Sequence, residues 1–163
     1  MKQTVYLSLG SNLGDRVANL QKVIERLAQS GTIVAASSLY ETEPVEVEHQ
    51  PLFLNCVVAL ETELTPEQLL SRVLELEQSM GRKRTQVKGP RTIDIDIVLF
   101  GNLVIDKAGL TVPHPAMHTR RFVLEPLAEI APDVLHPVLQ RSVRDLLQVL
   151  PPDAGVVRRY RQP

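Results

Sequence analysis

The sequence predicts an α+β fold: a mostly antiparallel sheet with helices packed on it. Three observations carry this. Runs at 4–9, 53–62 and 92–100 have the length and the apolar or alternating patterning of strands. Leu20, Val23, Ile24 and Leu27, and later Leu69, Leu70, Val73, Leu74 and Leu76, recur at helical spacing. With a β-rich stretch over 32–42, the first hundred residues read β-α-β-β-α-β, the ferredoxin-like order, in which two helices cover one face of the sheet.

The run 4–9 ends in Gly10-Ser11-Asn12-Leu13-Gly14-Asp15, a strand-to-helix turn in which Asn12 or Asp15 supplies the capping oxygen. The first helix closes at Ser30-Gly31, and the loosely alternating stretch 32–42 breaks at Glu43-Pro44. Thr65 is a good N-cap and Pro66 suits the first helical position. That helix runs to Met80-Gly81, and a basic loop over 82–91 feeds the strand that ends at Phe100. Gly101-Asn102 predicts a tight hairpin into 103–105. Beyond it come Pro-rich turns at 112–115, a short helix over 122–130, another near 143–150 and a final strand over 156–160. There is no internal repeat, low-complexity tract or linker.

A chain of 163 residues is one domain with an ordinary core. A net charge of −1 gives no general attraction to nucleic acid or acidic membranes. The basic residues cluster instead at 82–91, at 120–121 and at Arg158, Arg159 and Arg161. Cys56 is the only cysteine, which excludes an intrachain disulfide and points to a reducing compartment. Within the apolar run 54–60 it reads as a buried hydrophobe rather than a nucleophile. No signal peptide or membrane-length apolar run occurs, so a soluble, cytoplasmic protein is expected.

The most informative stretch is Gly-Pro-Arg-Thr-Ile-Asp-Ile-Asp-Ile at 89–97. As a strand it points Ile93, Ile95 and Ile97 into a core and sends Asp94 and Asp96 out of the opposite face. Two strand steps separate the aspartates by about 6–7 Å. At an effective dielectric of about 20 they repel by roughly 2–3 kcal/mol. Such a pair is either a solvent face or a cation site, and hard oxygen ligands suit Mg²⁺ completed by water and phosphate oxygens. The basic residues Arg82, Lys83, Arg84, Lys88 and Arg91 beside it favour a site for a metal-bound polyphosphate.

Other chemistries find little support. A GxxxxGK[ST] loop and a nucleophile elbow are both absent, and the four histidines lack zinc-ligand spacing. His114 and His118 lie four apart, but Pro113 and Pro115 argue against a helix there, leaving His114 as a polar loop contact or a bystander. Arg82 and Arg91 bracket the loop before the aspartates. They are either solvated or aimed at charge that develops during phosphoryl-type transfer.

The stretch from Gly89 through Gly101 resembles the signature of the 6-hydroxymethyl-7,8-dihydropterin pyrophosphokinase family of folate biosynthesis. Leu9 through Asp15 is similar to that family's first loop. Further matches are Ser38-Leu39-Tyr40-Glu41-Thr42, Gln50-Pro51 with Phe53-Leu54-Asn55, Gly81-Arg82, and Leu110 through His114. Together they run in family order from residue 7 to about 132, and the ordered set is very specific; the tail beyond about 135 matches nothing.

A single catalytic domain over 1–163 is expected, with its core at 1–105 and a C-terminal extension at 106–163. The resemblance implies a monomer that transfers the β,γ-pyrophosphoryl unit of ATP to 6-hydroxymethyl-7,8-dihydropterin, with no nucleic-acid or membrane partner. By resemblance, Asp94 and Asp96 hold two Mg²⁺ ions, while Arg82 and Arg91 bind phosphates and help close the site. Asn55 bonds the pterin ring, Phe53 and Phe122 sandwich it, and Thr42 and Val45 meet its edge. His114, Arg120, Thr111 and Arg84 fall on the ATP side. Glu77 also matches, as a charge partner or a helix-surface residue. Lys88, a shorter preceding loop, Leu74 and Pro115 depart from the family pattern in places that concern adenine contact and loop closure.

Two other readings use the same scaffold. A ligand- or RNA-binding module would want aromatics on the central strands and a basic sheet face, where this chain sets two aspartates. A metal-dependent nucleotidyl transferase would explain the aspartates but not Asn55, Phe53 and Phe122.

Overall fold

A computed structural model describes residues 1–42, 52–81, 92–152 and 155–161. Among these residues the chain runs β1 (Gln3–Ser11), α1 (Arg16–Leu27), β2 (Thr32–Ala36), β3 (Tyr40–Thr42), β4 (Phe53–Thr62), α2 (Pro66–Ser79) and β5 (Asp94–Phe100). Then follow β6 (Ile105–Lys107), β7 (Leu110–Val112), a 3₁₀ turn at Met117–Thr119, α3 (Arg121–Ile130), α4 (Val143–Gln148) and β8 (Val157–Arg159).

Helix starts follow the local chemistry. Asp15 caps α1 by accepting from the Ala18 N–H at 3.1 Å, so the choice between Asn12 and Asp15 falls to Asp15. Asn12 is instead fully buried. Thr65 and Gln68 form a reciprocal capping box at the head of α2, with Pro66 in its first turn.

The main sheet has the order β5-β1-β4-β3-β8, with β2 also paired to β4, and every pairing is antiparallel. Its first face carries Val5, Leu7 and Leu9 from β1, Leu54, Cys56, Val58 and Leu60 from β4, and Ile95 and Ile97 from β5. These pack with Leu20, Val23 and Leu27 of α1 and Leu69 and Val73 of α2. Two helices on one face is the expected arrangement. The extension adds a second layer: Val57, Leu99 and Tyr6 on the other face pack against Val123, Leu124 and Leu127 of α3 and Val143 and Leu146 of α4. Burial from both sides explains the nearly continuous apolar run of β4. Cys56 lies within the first layer, and burial pushes its thiol up to about 12. No helix among the described residues is long and apolar enough to cross a membrane.

Two expectations change in detail. The stretch 32–42 is two strands, because the chain leaves β4 around Ser37, whose hydroxyl accepts the Val57 N–H at 2.9 Å. The Gly101-Asn102 turn forms, with Leu103 N–H bonded to Phe100 O at 3.0 Å, but it does not return a strand along β5. Gly101 N–H stays bonded to Thr4 O at 2.8 Å, and the outer edge of β5 is occupied by a side chain of α2 and by the segment after β7. The chain pairs β6 with β7 in a separate ribbon instead. The final strand, β8, joins the sheet beside β3.

His136 lies in the turn between Leu135 and Ser142, which form an isolated bridge. Its Nδ1 accepts the N–H groups of Val138 and Leu139 at 3.2 and 3.0 Å. Burial, and then the neighbouring His118, hold its pKa below the usual 6.5. The native state therefore binds this proton less readily than the unfolded chain. The contribution of His136 to stability is expected to be flat above about pH 7 and to fall as pH drops below 6.5. In urea denaturation between about pH 7.5 and 5.5, His136→Asn, which keeps an acceptor, should reduce that slope, leaving the part due to His114. An unchanged slope refutes this origin.

Candidate active site

The site is built by register on β1. Gly10 pairs with Asp94 of β5 on one edge and with Asn55 of β4 on the other, and Asn55 pairs with Tyr40 of β3. Paired residues share a face, so Asp94, Gly10, Asn55 and Tyr40 form one row across the sheet. The next row sets Asp96 beside Ser8 and Val57. Both aspartates are half-buried, on the face that α3 covers only in part.

The Asn55 end is close-packed. Asn55 is 4% exposed and donates from Nδ2 to Thr42 Oγ1 at 2.6 Å. Thr42 pairs with Phe53, which places Phe53, Asn55 and Thr42 together on the site face. A Cβ at Gly10 would lie 2.6 Å from Asn55 Oδ1 and 3.4 Å from Phe53 Cδ1. Gly10 is thus the space into which the amide and the ring lean.

The aspartate end is electrostatic. His114 N–H donates to Val98 O at 2.9 Å, which fastens the segment after the cis Val112–Pro113 bond to β5. His114 Nδ1 accepts the Ala116 N–H at 3.1 Å, so the ring proton sits on Nε2, 3.9 Å from Asp96 Oδ1. Burial, and then the charge of Arg120, pull the His114 pKa below its usual value, with Asp94 acting the other way. At neutral pH the imidazole is an uncharged N–H donor facing the carboxylates. The Arg120 guanidinium lies 5.5 Å from the centroid of the Phe122 ring in the first turn of α3.

Asp94, Asp96, His114 and Arg120 therefore converge electrostatically, and Phe53, Asn55 and Thr42 converge by contact. Thr111 does not join them: it is exposed on β7, opposite Asp106 in the separate ribbon. Val45, Arg82, Arg84 and Arg91 lie outside the described residues.

Glu77 is not a helix-surface residue. It is 3% exposed, and its Oε2 accepts the Ile95 N–H, between the two aspartates, at 2.9 Å. The signal in the sequence was its position: Leu69, Val73 and Glu77 continue one stripe at steps of four, so the acid had to face the sheet.

Two carboxylates, rather than a cage of three or more His, Cys, Asp or Glu side chains, meet among the described residues. That donor number and hardness fit Mg²⁺, which takes one or two carboxylates and keeps other positions for water and phosphate.

Acidic, basic, aromatic and amide groups gather on one face of an antiparallel α+β sheet, a set of polar groups that suits a small-molecule site. Residues 6–132 match the model of the 7,8-dihydro-6-hydroxymethylpterin-pyrophosphokinase (HPPK) family, and the chain belongs to that family. It is 42% identical over 142 residues to the 2-amino-4-hydroxy-6-hydroxymethyldihydropteridine pyrophosphokinase of Aquifex aeolicus, covering 87% of this chain and 89% of that one. The protein of the same name from Bacillus subtilis is 45% identical over 136 residues, 82% of this chain and 81% of the other. The folic acid synthesis protein fol1 of Schizosaccharomyces pombe is 42% identical over 90% of this chain, which spans only 20% of that longer protein. The crystal structure of Plasmodium falciparum HPPK-DHPS with pteroate shares the fold, with a TM-score of 0.73, 16% identity, and coverage of 91% of this chain and 42% of that one.

Gly10→Ala is expected to destabilise the fold by about 1–3 kcal/mol in urea denaturation, as overpacking does. Adding Asn55→Ala removes the clash, so the double variant should lose less than the sum of the single losses. Strict additivity would show that the amide does not fill the space over Gly10.

Proposed function

We propose that this chain transfers the β,γ-pyrophosphoryl group of ATP to the hydroxymethyl group of 6-hydroxymethyl-7,8-dihydropterin, giving the pterin diphosphate and AMP. The observation that carries this reading is the row Asp94–Gly10–Asn55 on one sheet face. Two strand spacings, about 9–10 Å, separate the carboxylate end from the amide end. A flat polar heterocycle at Asn55 therefore directs a short side arm toward whatever the aspartates hold. Family membership supports the choice of pterin and ATP. The β5-β1-β4-β2 order with α1 and α2 on one face supports a ferredoxin-like core.

In this mechanism Asn55 presents Oδ1 and its remaining N–H to the ring edge while Thr42 holds the amide in place. Phe53 and Phe122 offer ring faces, and Val45 a backbone contact. Asp94 and Asp96 would hold two Mg²⁺ ions, which when bound neutralise polyphosphate charge and acidify the attacking hydroxyl. The Nε2–H of His114 donates to a nucleotide oxygen, and Arg120, Arg84 and Thr111 lie on the ATP side. Arg82 and Arg91 stabilise charge on the transferred group. Catalysis is then mostly positioning and electrostatics. The chain acts as a single cytoplasmic catalytic domain and a monomer on small molecules; the two half-buried aspartates disfavour a nucleic-acid backbone on this face.

Protein mixed with Mg²⁺, ATP and the reduced hydroxymethylpterin should release AMP and pterin diphosphate in equal amounts by ion-exchange chromatography. ADP as the nucleotide product overturns the proposal. Asp96→Ala should lower kcat more than about a hundredfold, a loss of ~3 kcal/mol of transition-state stabilisation, without lowering the unfolding midpoint. Retention of more than a tenth of the wild-type rate, on the order of 1.4 kcal/mol, rejects the metal-holding role.

A further inference from the structure

Arg16 occupies the first position of α1, where no acidic residue shares the turn and the helix dipole disfavours a cation. A residue that breaks a local preference points to an interaction made elsewhere. The guanidinium Nη1 donates to Glu41 Oε2 at 2.9 Å and to the Leu52 carbonyl at 2.9 Å. Its carbon also lies 5.5 Å from the centroid of the Tyr160 ring. Tyr160 follows β8 and donates its N–H to Leu39 O at 2.8 Å. One side chain thus joins the head of α1, the end of β3, the start of β4 and the C-terminal strand.

Those two strand ends carry the amide side of the site. Glu41 precedes Thr42, Leu52 precedes Phe53, and Thr42 pairs with Phe53. Glu41 pairs with Leu54, a residue of the α1/α2 layer, so Arg16 works from the side of the sheet opposite Thr42, Phe53 and Asn55. It acts on them through the backbone of both strands.

We propose that Arg16 is a positioning residue for pterin binding: it fixes Thr42 on β3 against Phe53 and Asn55 on β4 and ties that spacing to Tyr160. This inference rests on the functional reading above. Arg16 belongs to the pterin side only, since Asp94, Asp96, His114 and Arg120 sit on β5 and before α3.

The test is calorimetric titration of folded wild type, Arg16→Met and Arg16→Lys with the dihydropterin, and separately with Mg²⁺ and a non-hydrolysable ATP analogue. Arg16→Met should weaken pterin binding about tenfold, less than the roughly hundredfold that misplacement of a catalytic group can cost. Nucleotide affinity should stay within about twofold, and KM for pterin should rise while kcat at saturation is kept, the pattern of lost ground-state binding. Arg16→Lys, which keeps the charge without the fork, should fall between. Unchanged pterin affinity in Arg16→Met, or parallel loss of both ligands, overturns the inference. Should Arg16→Met fail to fold, Tyr160→Leu and Glu41→Gln carry the test with the same selective loss expected. A wild-type chain that binds no dihydropterin overturns the functional reading, whereas wild-type binding with an indifferent Arg16→Met overturns this inference alone.

Discussion

Because β1 bonds to β5 along one edge and to β4 along the other, a slip of one residue in either ladder would exchange the two faces of that partner. Asp94 and Asp96 would then meet the apolar stripes of α1 and α2, and Ile95 and Ile97 would face the site. The register is held because Val5, Leu7 and Leu9 must point into the same layer as Leu54, Cys56, Val58 and Leu60. Packing on the face away from the chemistry therefore determines which side chains reach it. At Gly10 this arrangement also demands the loss of a side chain, since the amide of Asn55 and the ring of Phe53 take that volume.

The second layer serves both structure and site. The middle of α3 covers Val57 and Leu99, and its start presents Phe122 with Arg120 over the ring. Its other end is fastened by Glu129, which accepts from Tyr40 Oη at 2.6 Å and from the Ser38 hydroxyl at 2.9 Å. Burial works against the ionised Glu129, but these bonds and Arg159 hold its pKa below the usual value. A helix tethered at its far end to β3 keeps a constant bearing at its near end, beside the aspartates.

Much of this was legible in the sequence because it is local. The alternation at 94–97, the Thr65-Pro66 start and the spacing of Phe53 and Asn55 each depend on a few adjacent residues, and each has the expected conformation. What escaped depends on distant segments. Glu77 is an ordinary helix residue until α2 lies against β5 and its carboxylate meets the Ile95 N–H. The Gly101-Asn102 turn has hairpin chemistry, but the edge it would have paired with is already taken. Arg16 sits poorly by helix rules, and its partners come from 25, 36 and roughly 140 residues away in the chain. Val45, Arg82, Arg84 and Arg91 lie outside the described residues.

The bond from Ile95 to Glu77 has one more effect, on how the molecule behaves among its own copies. An outermost strand normally offers a row of unsatisfied amides and carbonyls to any stray extended chain. On β5 the buried carboxylate consumes one such amide, and the His114 N–H consumes the Val98 carbonyl. Two of the groups that a stray strand would need on that edge are thereby already taken. At the opposite border, β8 bears Arg158 and Arg159, and charged side chains on an edge strand discourage pairing with a like border.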